Sequence, residues 1–267
     1  MIPQFHFAPE EVQAHVSKVF GAGYLVAGIA RMHGGAQKAV YKVECQNGFS
    51  CVLYVWDLSQ NYFQEEILNE SGAHRSYGSD LFALNNRYLR QHGISTPRLY
   101  DLNNDRDRIP FDFALVEYVQ GQKAEAYFQL KDANARDALF RRVRDLIGAM
   151  HAMERDRYGK ADHNGGDEQP CFEARREHAE SALTYAAGHL ANVRENDSGL
   201  LDKLHGLASE IQPRSQYRFI HGELGPDHIL VDDQMQPFLI DIEGAEFYDL
   251  EHEHSFCSFG SAISTAF

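Results

Sequence analysis

The side chains most capable of chemistry are concentrated between positions 221 and 243 of the sequence. Six of the imidazole and carboxylate groups there stand out: His221, Glu223, Asp227 and His228 in one loop, and Asp241 and Glu243 at the end of the next predicted strand. Asp241 and Glu243 are two residues apart, so on a strand both side chains would project from the same face. Carboxylate oxygens suit Mg²⁺, and imidazole beside carboxylates also suits Zn²⁺ or Mn²⁺. The residue types leave two interpretations open, a metal-dependent site and a solvated turn between strands.

The elements that would position this cluster begin with a β-rich region. Ala39–Cys45 (AVYKVEC) and Phe49–Trp56 (FSCVLYVW) are rich in β-branched and aromatic residues and flank Asn47-Gly48, which predicts an antiparallel hairpin. The preceding segment GIARMHGGAQK contains three glycines and predicts a flexible loop.

A helix and a strand are predicted next. Asp80 can cap an amphipathic helix that ends at His92-Gly93. The apolar run Phe111–Gly121 (FDFALVEYVQG) predicts a strand that continues into a linker. Beyond this linker the hydrophobic spacing changes from the period of a strand to that of a helix.

The second half of the chain is predicted to be mainly helical. Apolar residues recur at helical spacing through ALFRRVRDLIGAMHAM, and Phe172–Ile211 predicts one or two further helices with a break near Glu195–Ser198. Three short strands are predicted around the polar cluster: Tyr217–Ile220, Ile229–Asp232 and Phe238–Ile242. These patterns favour an α+β fold.

Composition narrows the function classes. The formal net charge is −14, which argues against sequence-independent binding of nucleic acid or an anionic membrane, because both need clustered Lys and Arg. The four cysteines form no Cys-x-x-Cys pair, so no zinc knuckle or disulfide framework is predicted. The longest apolar stretch, Tyr24 to Ala30, is far shorter than the ~18 residues of a membrane span. We expect a cytoplasmic protein, and the sequence does not define its oligomeric state.

In their order along the chain, these segments resemble the aminoglycoside phosphotransferase family, the kinase-like fold that also includes choline, homoserine and macrolide kinases. HGELGPDHILVD followed by LIDIEG is similar to the family's catalytic loop HGDxxxxN and its metal strand IDxE. HGGAQKAVYKV is similar to the nucleotide loop and second strand, and ALVEYVQG to the hinge. The likeness extends over about Tyr24 to Phe256.

The resemblance implies a bilobal protein-kinase-like fold of the α+β class. A β-rich, nucleotide-binding lobe would span residues 1–116, a hinge 117–121, and a mainly helical lobe with the catalytic loop 122–267. The sequence ends eighteen residues after Asp249, whereas the family usually continues into further helices. We therefore expect a truncated second lobe.

The resemblance also implies roles for the polar cluster. Glu223 occupies the position of the catalytic aspartate, which orients and deprotonates the acceptor hydroxyl. His228 stands where most members have a metal-binding asparagine and macrolide kinases have histidine. Asp241 stands at the principal Mg²⁺ ligand, and Glu243 would be a second metal or substrate carboxylate. Mg²⁺ is thus the implied cofactor and ATP or GTP the co-substrate.

A nucleotide site is implied in the first lobe. Main-chain groups of Glu117 and Val119 would meet the adenine, and Gly34 and Gly35 would let main-chain amides approach phosphate. The family's phosphate-binding lysine falls at Tyr54 of this sequence, which is therefore the residue expected beside the nucleotide at that position.

By this resemblance, the family's usual lysine–glutamate pair is missing. The position of the glutamate falls near Phe82 or Leu84, and an unpaired buried charge would cost several kcal/mol, so loss of both partners together is physically consistent. Lys38 in the glycine loop or Lys42 on the second strand could substitute. The alternative for each lysine is a solvent-facing position.

The function implied is phosphorylation of a hydroxyl on a small molecule. Four acidic residues would suit a cationic, antibiotic-like acceptor: Glu243, Glu246, Asp249 and Glu251. A second hypothesis is a degenerate kinase-like module that binds nucleotide without transferring phosphate, favoured by Tyr54 and Glu223. A third is a metallohydrolase that uses His221, His228 and Asp241.

Two further features have non-catalytic interpretations. The segment EHEH (Glu251–His254) is predicted to be a solvated face. His151 is predicted to pack within the fold and to hydrogen-bond the catalytic loop.

Overall fold

The computed structural model describes most of the chain, in the ranges 7–32, 37–61, 64–69, 75–107, 109–163 and 170–255. Gly34 and Gly35, which we expect near phosphate, lie outside the described residues.

A five-stranded antiparallel sheet forms the first half of the described fold. Its strands are β1 (Val26–Arg31), β2 (Ala39–Cys45), β3 (Ser50–Trp56), β4 (Leu99–Asn103) and β5 (Asp112–Glu117). They pair in the order β1-β2-β3-β5-β4. The hairpin predicted at Asn47-Gly48 joins β2 to β3, and Gly48 there has φ +82°, a conformation that glycine adopts without strain.

Three helices accompany this sheet: α1 (Pro9–Phe20), α2 (Gln64–Asn69) and α3 (Ser79–Gln91). The sequence patterns did not predict α1, which packs Val12 and Val16 against one face of the sheet. The residue at the N-cap of α3 is Gly78, so the predicted cap at Asp80 is wrong. Asp80 lies in the first turn instead, where a carboxylate favours the positive end of the helix dipole.

The second half contains four helices and six short strands, and residues 250–255 at the end of the described chain are also helical. The helices are α4 (Ala133–His151), α5 (Cys171–His189), α6 (Ala191–Glu195) and α7 (Asp197–Ser209). The strands are β6 (Gly121–Lys123), β7 (Glu154–Arg155), β8 (Tyr217–Ile220), β9 (Ile229–Asp232), β10 (Pro237–Leu239) and β11 (Glu246–Tyr248). They form two antiparallel sheets, β10-β9-β6 and β11-β8-β7. The predicted helical break is confirmed at Asn196, and a second break occurs at Leu190.

The strand predicted to reach Ile242 ends early. Leu239 is the last residue of β10, and Asp241 has a left-handed backbone with φ 56° and ψ 47°. A 3-10 turn over Ile242–Gly244 follows. The prediction failed because the left-handed residue turns the chain out of the strand direction, which the apolar pattern does not reveal.

The two faces of the five-stranded sheet belong to different cores. On one face, Tyr41, Leu53 and Leu115 pack with α1. On the other face, Tyr54 and Trp56 join a core that continues through α3 into the helical half. This second face therefore lies against the elements that carry the polar cluster. No described helix is long and apolar enough to cross a membrane.

Candidate active site

The loop between β8 and β9 is anchored by a buried imidazole. The His221 Nε2 atom lies 2.8 Å from the carbonyl oxygen of Ile240, so it donates to that oxygen. Burial lowers the pKa of His221, which favours the neutral ring. The ring stacks on that of His228 at 5.4 Å between centroids. His221 is thus a support for the loop, with one nitrogen already engaged.

A second buried group, Glu253, holds the start of this loop. Its carboxylate accepts the backbone N–H groups of His221 and Gly222, each at 2.8 Å. His151 Nε2 lies 3.2 Å from the same carboxylate. Burial alone would raise the pKa of Glu253, but the hydrogen bonds and the neighbouring imidazoles lower it. His151 is therefore connected to the loop between β8 and β9 through Glu253.

The prediction that Glu251–His254 forms a solvated face fails at Glu253. The Glu251 side chain is 64% exposed, whereas that of Glu253 is fully buried. Sequence reasoning missed Glu253 because its partners are main-chain groups more than thirty residues away. No residue type in EHEH signals which carboxylate turns inward.

The loop between β8 and β9 and the turn after β10 meet backbone to backbone. Gly222 has φ +91°, and a Cβ added there would lie 3.1 Å from the carbonyl oxygen of Gly244. This contact brings the loop beside the turn that carries Asp241 and Glu243. The two carboxylates converge as expected, although a turn rather than a strand presents them.

Glu223 lies exposed on the same loop. Within the described part of the chain, its carboxylate makes no hydrogen bond or ion pair. Its carbonyl oxygen lies 2.5 Å from His228 Nδ1, which therefore carries a hydrogen. The Glu223 carboxylate is thus exposed to solvent and has no polar contact with the described residues.

His228 and Asp241 face each other across a gap that suits a cation. With the hydrogen on Nδ1, the Nε2 atom of a neutral His228 ring is an acceptor. It lies 3.8 Å from Asp241 Oδ2 and 3.7 Å from Asp227 Oδ2. Acceptor atoms so placed repel one another unless a proton or a cation lies between them.

A lysine from the sheet reaches these carboxylates. Lys38 Nζ lies 2.6 Å from Asp241 Oδ1 and 2.7 Å from Glu243 Oε1, and Trp56 Nε1 donates to the same Glu243 oxygen at 3.3 Å. Burial acts to lower the pKa of Lys38, but the two carboxylates raise it above its ordinary value. Burial acts to raise the pKa of Asp241, but the Lys38 ammonium lowers it to about 2.

The resemblance places the family's lysine at Tyr54 and its glutamate near Phe82 or Leu84. Tyr54 and Phe82 make an edge contact at 5.4 Å between ring centroids. Burial raises the pKa of the Tyr54 hydroxyl, which therefore stays neutral. Lys38 Nζ lies 5.1 Å from the Tyr54 ring, whereas Lys42 Nζ contacts Glu44 and the Tyr118 ring.

Asn85 connects α3 to the carboxylate-bearing turn. Its Nδ2 group donates to the carbonyl oxygens of Ile242 at 2.8 Å and Ala245 at 3.0 Å, and lies 3.3 Å from that of Glu243. Asn85 is fully buried. Sequence reasoning did not select it, because an asparagine on a helix has no local feature that identifies distant carbonyl partners.

The predicted hinge residues lie at the end of β5 and just after it. The N–H of Glu117 donates to the Arg98 carbonyl at 2.8 Å, and its carboxylate accepts the Arg98 N–H at 2.9 Å. Val119 is buried. None of the hydrogen bonds between described residues uses the main chain of Val119.

No group of three or more His, Cys, Asp or Glu side chains among the described residues could by itself hold a metal ion. The Asp241 carboxylate and His228 Nε2 form a two-residue donor set instead. Such a set fits Mg²⁺ whose coordination shell is completed by substrate phosphates and water. The carboxylate is the better ligand of the two, because Mg²⁺ prefers oxygen to imidazole nitrogen.

Solved structures with the same architecture place the chain in a fold class. It is similar to a thermostable mutant of the aminoglycoside phosphotransferase APH(4)-Ia, solved with ADP and hygromycin B. The TM-score is 0.62 at 16% identity, over 92% of this chain and 75% of that one. It is also similar to an amicoumacin kinase solved with AMP-PNP and Ca²⁺. There the TM-score is 0.53 at 14% identity, over 98% of this chain and 72% of that one. The fold is the bilobal protein-kinase-like fold.

The family follows from the sequence. The model of the phosphotransferase enzyme family APH matches residues 82–264, which is more than half of the chain. The chain belongs to that family, and the resemblance drawn from its motifs is confirmed. Among curated proteins, no sequence matches significantly.

Proposed function

We propose that the chain transfers the terminal phosphoryl group of ATP or GTP to a hydroxyl of a small molecule. The observation that carries this proposal is the convergence of Lys38 with Asp241 and Glu243, beside a loop on which Glu223 is exposed. A cation, a pair of carboxylates and an available base are the groups that phosphoryl transfer requires, because the protein mainly positions reactants and neutralises charge.

Each group has a distinct task. The Glu223 carboxylate accepts the proton of the acceptor hydroxyl. The hydroxyl oxygen of the acceptor then forms a bond to the terminal phosphorus of the nucleotide. The bond from this phosphorus to the bridging oxygen breaks, which releases ADP or GDP. Lys38 contacts the phosphates, and main-chain groups of Glu117 and Val119 contact the base. Asp241 and His228 would hold Mg²⁺, which supplies positive charge to the phosphates when bound.

The acceptor we favour is a hydroxylated molecule that bears amines. Net charge supports this class, as do similar structures solved with hygromycin B or as an amicoumacin kinase. The four carboxylates expected to attract it are instead paired with cations: Glu243 with Lys38, Glu246 with Lys160, and Asp249 and Glu251 with Arg214. Glu223 and Asp227 remain the acidic groups of the catalytic loop nearest to such an acceptor.

The test is a transfer assay over a panel of nucleotides and acceptors. ATP and GTP are each combined with hydroxylated, amine-bearing molecules and with neutral analogues, and release of ADP or GDP is measured. We expect release only with an acceptor present. Absence of acceptor-dependent release over a broad panel would contradict the proposal.

A second candidate function is nucleotide binding without transfer. Tyr54 at the usual lysine position and the longer Glu223 side chain favour it, because a ~1 Å misplacement can cost about 100-fold in rate. Thermal unfolding with and without Mg²⁺ and nucleotide separates the cases. Nucleotide at 100 times its Kd stabilises by about 2.7 kcal/mol. A shift without turnover supports the binding module, and no shift with any nucleotide contradicts both functions.

The metallohydrolase hypothesis has less support. It needs His221 as a ligand, whereas His221 Nε2 is hydrogen-bonded to the Ile240 carbonyl.

A further inference from the structure

The two carboxylates that contact Lys38 are in unequal environments. The side chain of Glu243 is 6% exposed and that of Lys38 is 5% exposed, whereas Asp241 is 34% exposed. The Oε1 atom of Glu243 also accepts the indole N–H of Trp56. Glu243 is therefore the enclosed partner of the lysine, and Asp241 is the open one.

The two oxygens of Asp241 face different groups. Oδ1 accepts from Lys38, and Oδ2 faces His228 Nε2 at 3.8 Å. Asp241 can hold the lysine with one oxygen and present the other to a cation. Glu243 Oε1, by contrast, already accepts hydrogen bonds from Lys38 and Trp56.

The sheet register explains how Lys38 reaches the place of the missing lysine. Val40 is the cross-strand partner of Tyr54 in the β2–β3 pair. Lys38 is two residues before Val40, so it lies on the same face of the sheet as Tyr54. Its ammonium group is 5.1 Å from the Tyr54 ring, above the side chain that replaces the usual lysine.

The positions at which the family has its lysine and glutamate cannot hold a charge pair in this chain, because Tyr54 and Phe82 pack ring against ring there. A buried lysine needs a carboxylate partner, since desolvation of an unpaired charge is expensive. In this fold that partner comes from the turn after β10 rather than from α3.

We propose that Glu243 is a positioning residue that holds Lys38 against the nucleotide phosphates, and that it does not bind the metal. The lysine–glutamate pair is then present but relocated, with the lysine just before β2 and the glutamate after Asp241. This inference rests on the proposed function, because it assumes that nucleotide phosphates occupy the space beside Lys38.

The experiment measures binding of Mg²⁺ and the ATP analogue AMP-PNP by calorimetry, so it does not depend on knowing the acceptor. Four proteins form a cycle: wild type, Lys38→Met, Glu243→Gln and the double variant. Lys38→Met should bind AMP-PNP about 10- to 100-fold more weakly than the wild type, because a charge-assisted hydrogen bond to phosphate is lost. Glu243→Gln should weaken binding in the presence of Lys38 and have no further effect in Lys38→Met.

A titration of Mg²⁺ at fixed nucleotide separates positioning from metal binding. We expect the midpoint for Mg²⁺ to be unchanged in Glu243→Gln and raised in Asp241→Asn. Arg144→Met with Asp145→Asn is the control, because this exposed ion pair lies on α4, away from the proposed nucleotide site. It should leave both measurements unchanged.

The outcomes are distinguishable. Additive effects of Lys38→Met and Glu243→Gln, or a raised Mg²⁺ midpoint in Glu243→Gln, would overturn the inference and leave the proposed function intact. Absence of nucleotide binding by the wild type would overturn the proposed function and the inference with it. Should the double variant fail to fold, the Mg²⁺ midpoint of Glu243→Gln still decides between the two roles.

Discussion

Buried carboxylates in this molecule are each surrounded by donors. Glu253 accepts two main-chain N–H groups of the loop between β8 and β9, and Glu243 accepts from Lys38 and Trp56. Such charges are retained only where hydrogen bonds offset their desolvation, so each fixes the segment that supplies its donors. The result is a loop and a turn whose positions depend on single side chains.

Isosteric substitutions can distinguish the proposed roles of Glu223 and Asp241, proton acceptance and metal binding. Glu223→Gln should leave affinity for Mg²⁺ and nucleotide nearly unchanged, because its carboxylate does not contact the phosphates in the proposed mechanism. Turnover should fall about 10²–10⁴-fold, the usual contribution of a general base. Asp241→Asn should instead weaken nucleotide binding in the presence of Mg²⁺. Steady-state kinetics and calorimetry measure the two effects.

Glu223→Asp is the companion variant. A rate above that of the wild type would show that the longer side chain is a handicap and would favour the binding-module function. Full turnover in Glu223→Gln would exclude Glu223 as the base and leave Asp227 as the candidate.

Glu253→Gln should destabilise the fold. The amide has one acceptor oxygen where the carboxylate has two, so one of the two loop N–H groups loses its partner. An unsatisfied buried donor costs about 1–3 kcal/mol. The free energy of unfolding in urea measures the loss. Glu251→Gln is the control, since it is exposed and should change stability by no more than about 0.5 kcal/mol.

At the scale of elements, the hinge end is fixed by a close approach of two strands. Gly121 is the first residue of β6 and pairs with Asp232 of β9. A Cβ added at Gly121 would lie 1.8 Å from the carbonyl oxygen of Val231. The pattern Phe111–Gly121 predicts a strand ending at a glycine, but the reason for the glycine is this contact.

Gly121→Ala should therefore separate β6 from β9. Backbone atoms cannot move aside cheaply, so we expect the free energy of unfolding to fall by about 1–3 kcal/mol, the usual cost of overpacking. Gly206→Ala in α7 is the control, because no atom lies within 4 Å of the added Cβ. It should stabilise by about 0.5–1 kcal/mol. Equal effects of both substitutions would contradict the proposed steric cause.

Elements determined by local sequence were predictable, and those determined by distant contacts were not. The hairpin at Asn47-Gly48 and the helix α4 follow from turn chemistry and hydrophobic period. The left-handed turn at Asp241 depends on packing against Gly222 and α3. The apolar pattern of the sequence does not contain these contacts, so it predicts a strand that continues to Ile242. The site residues were located by motif order, whereas Asn85 and Glu253 act on main-chain atoms that no motif identifies.

At the scale of the whole molecule, Lys38 links the two halves of the fold. It precedes β2 of the five-stranded sheet, and its partners Asp241 and Glu243 belong to the turn after β10, about 200 residues later. The sheet also shares a core with the helical half through Tyr54, Trp56 and α3. An ion pair and an apolar interface therefore act together at the junction where nucleotide is proposed to bind.

The ion pair should make stability depend on acid pH. The folded pKa of Asp241 is about 2, below the ordinary value of about 3.9, so its pairing with Lys38 stabilises the fold above pH ~4. This contribution is lost as pH falls towards 2. Lys38→Met removes the pairing, so it should lower the free energy of unfolding at neutral pH, and its deficit should shrink as pH falls from 6 to 2.5. Urea unfolding across this range measures the deficit, with Arg144→Met of the exposed Arg144–Asp145 pair as control. A deficit independent of pH would show that Lys38 does not stabilise the junction through the charge of Asp241, which leaves its contact with Glu243 and the packing of its aliphatic chain.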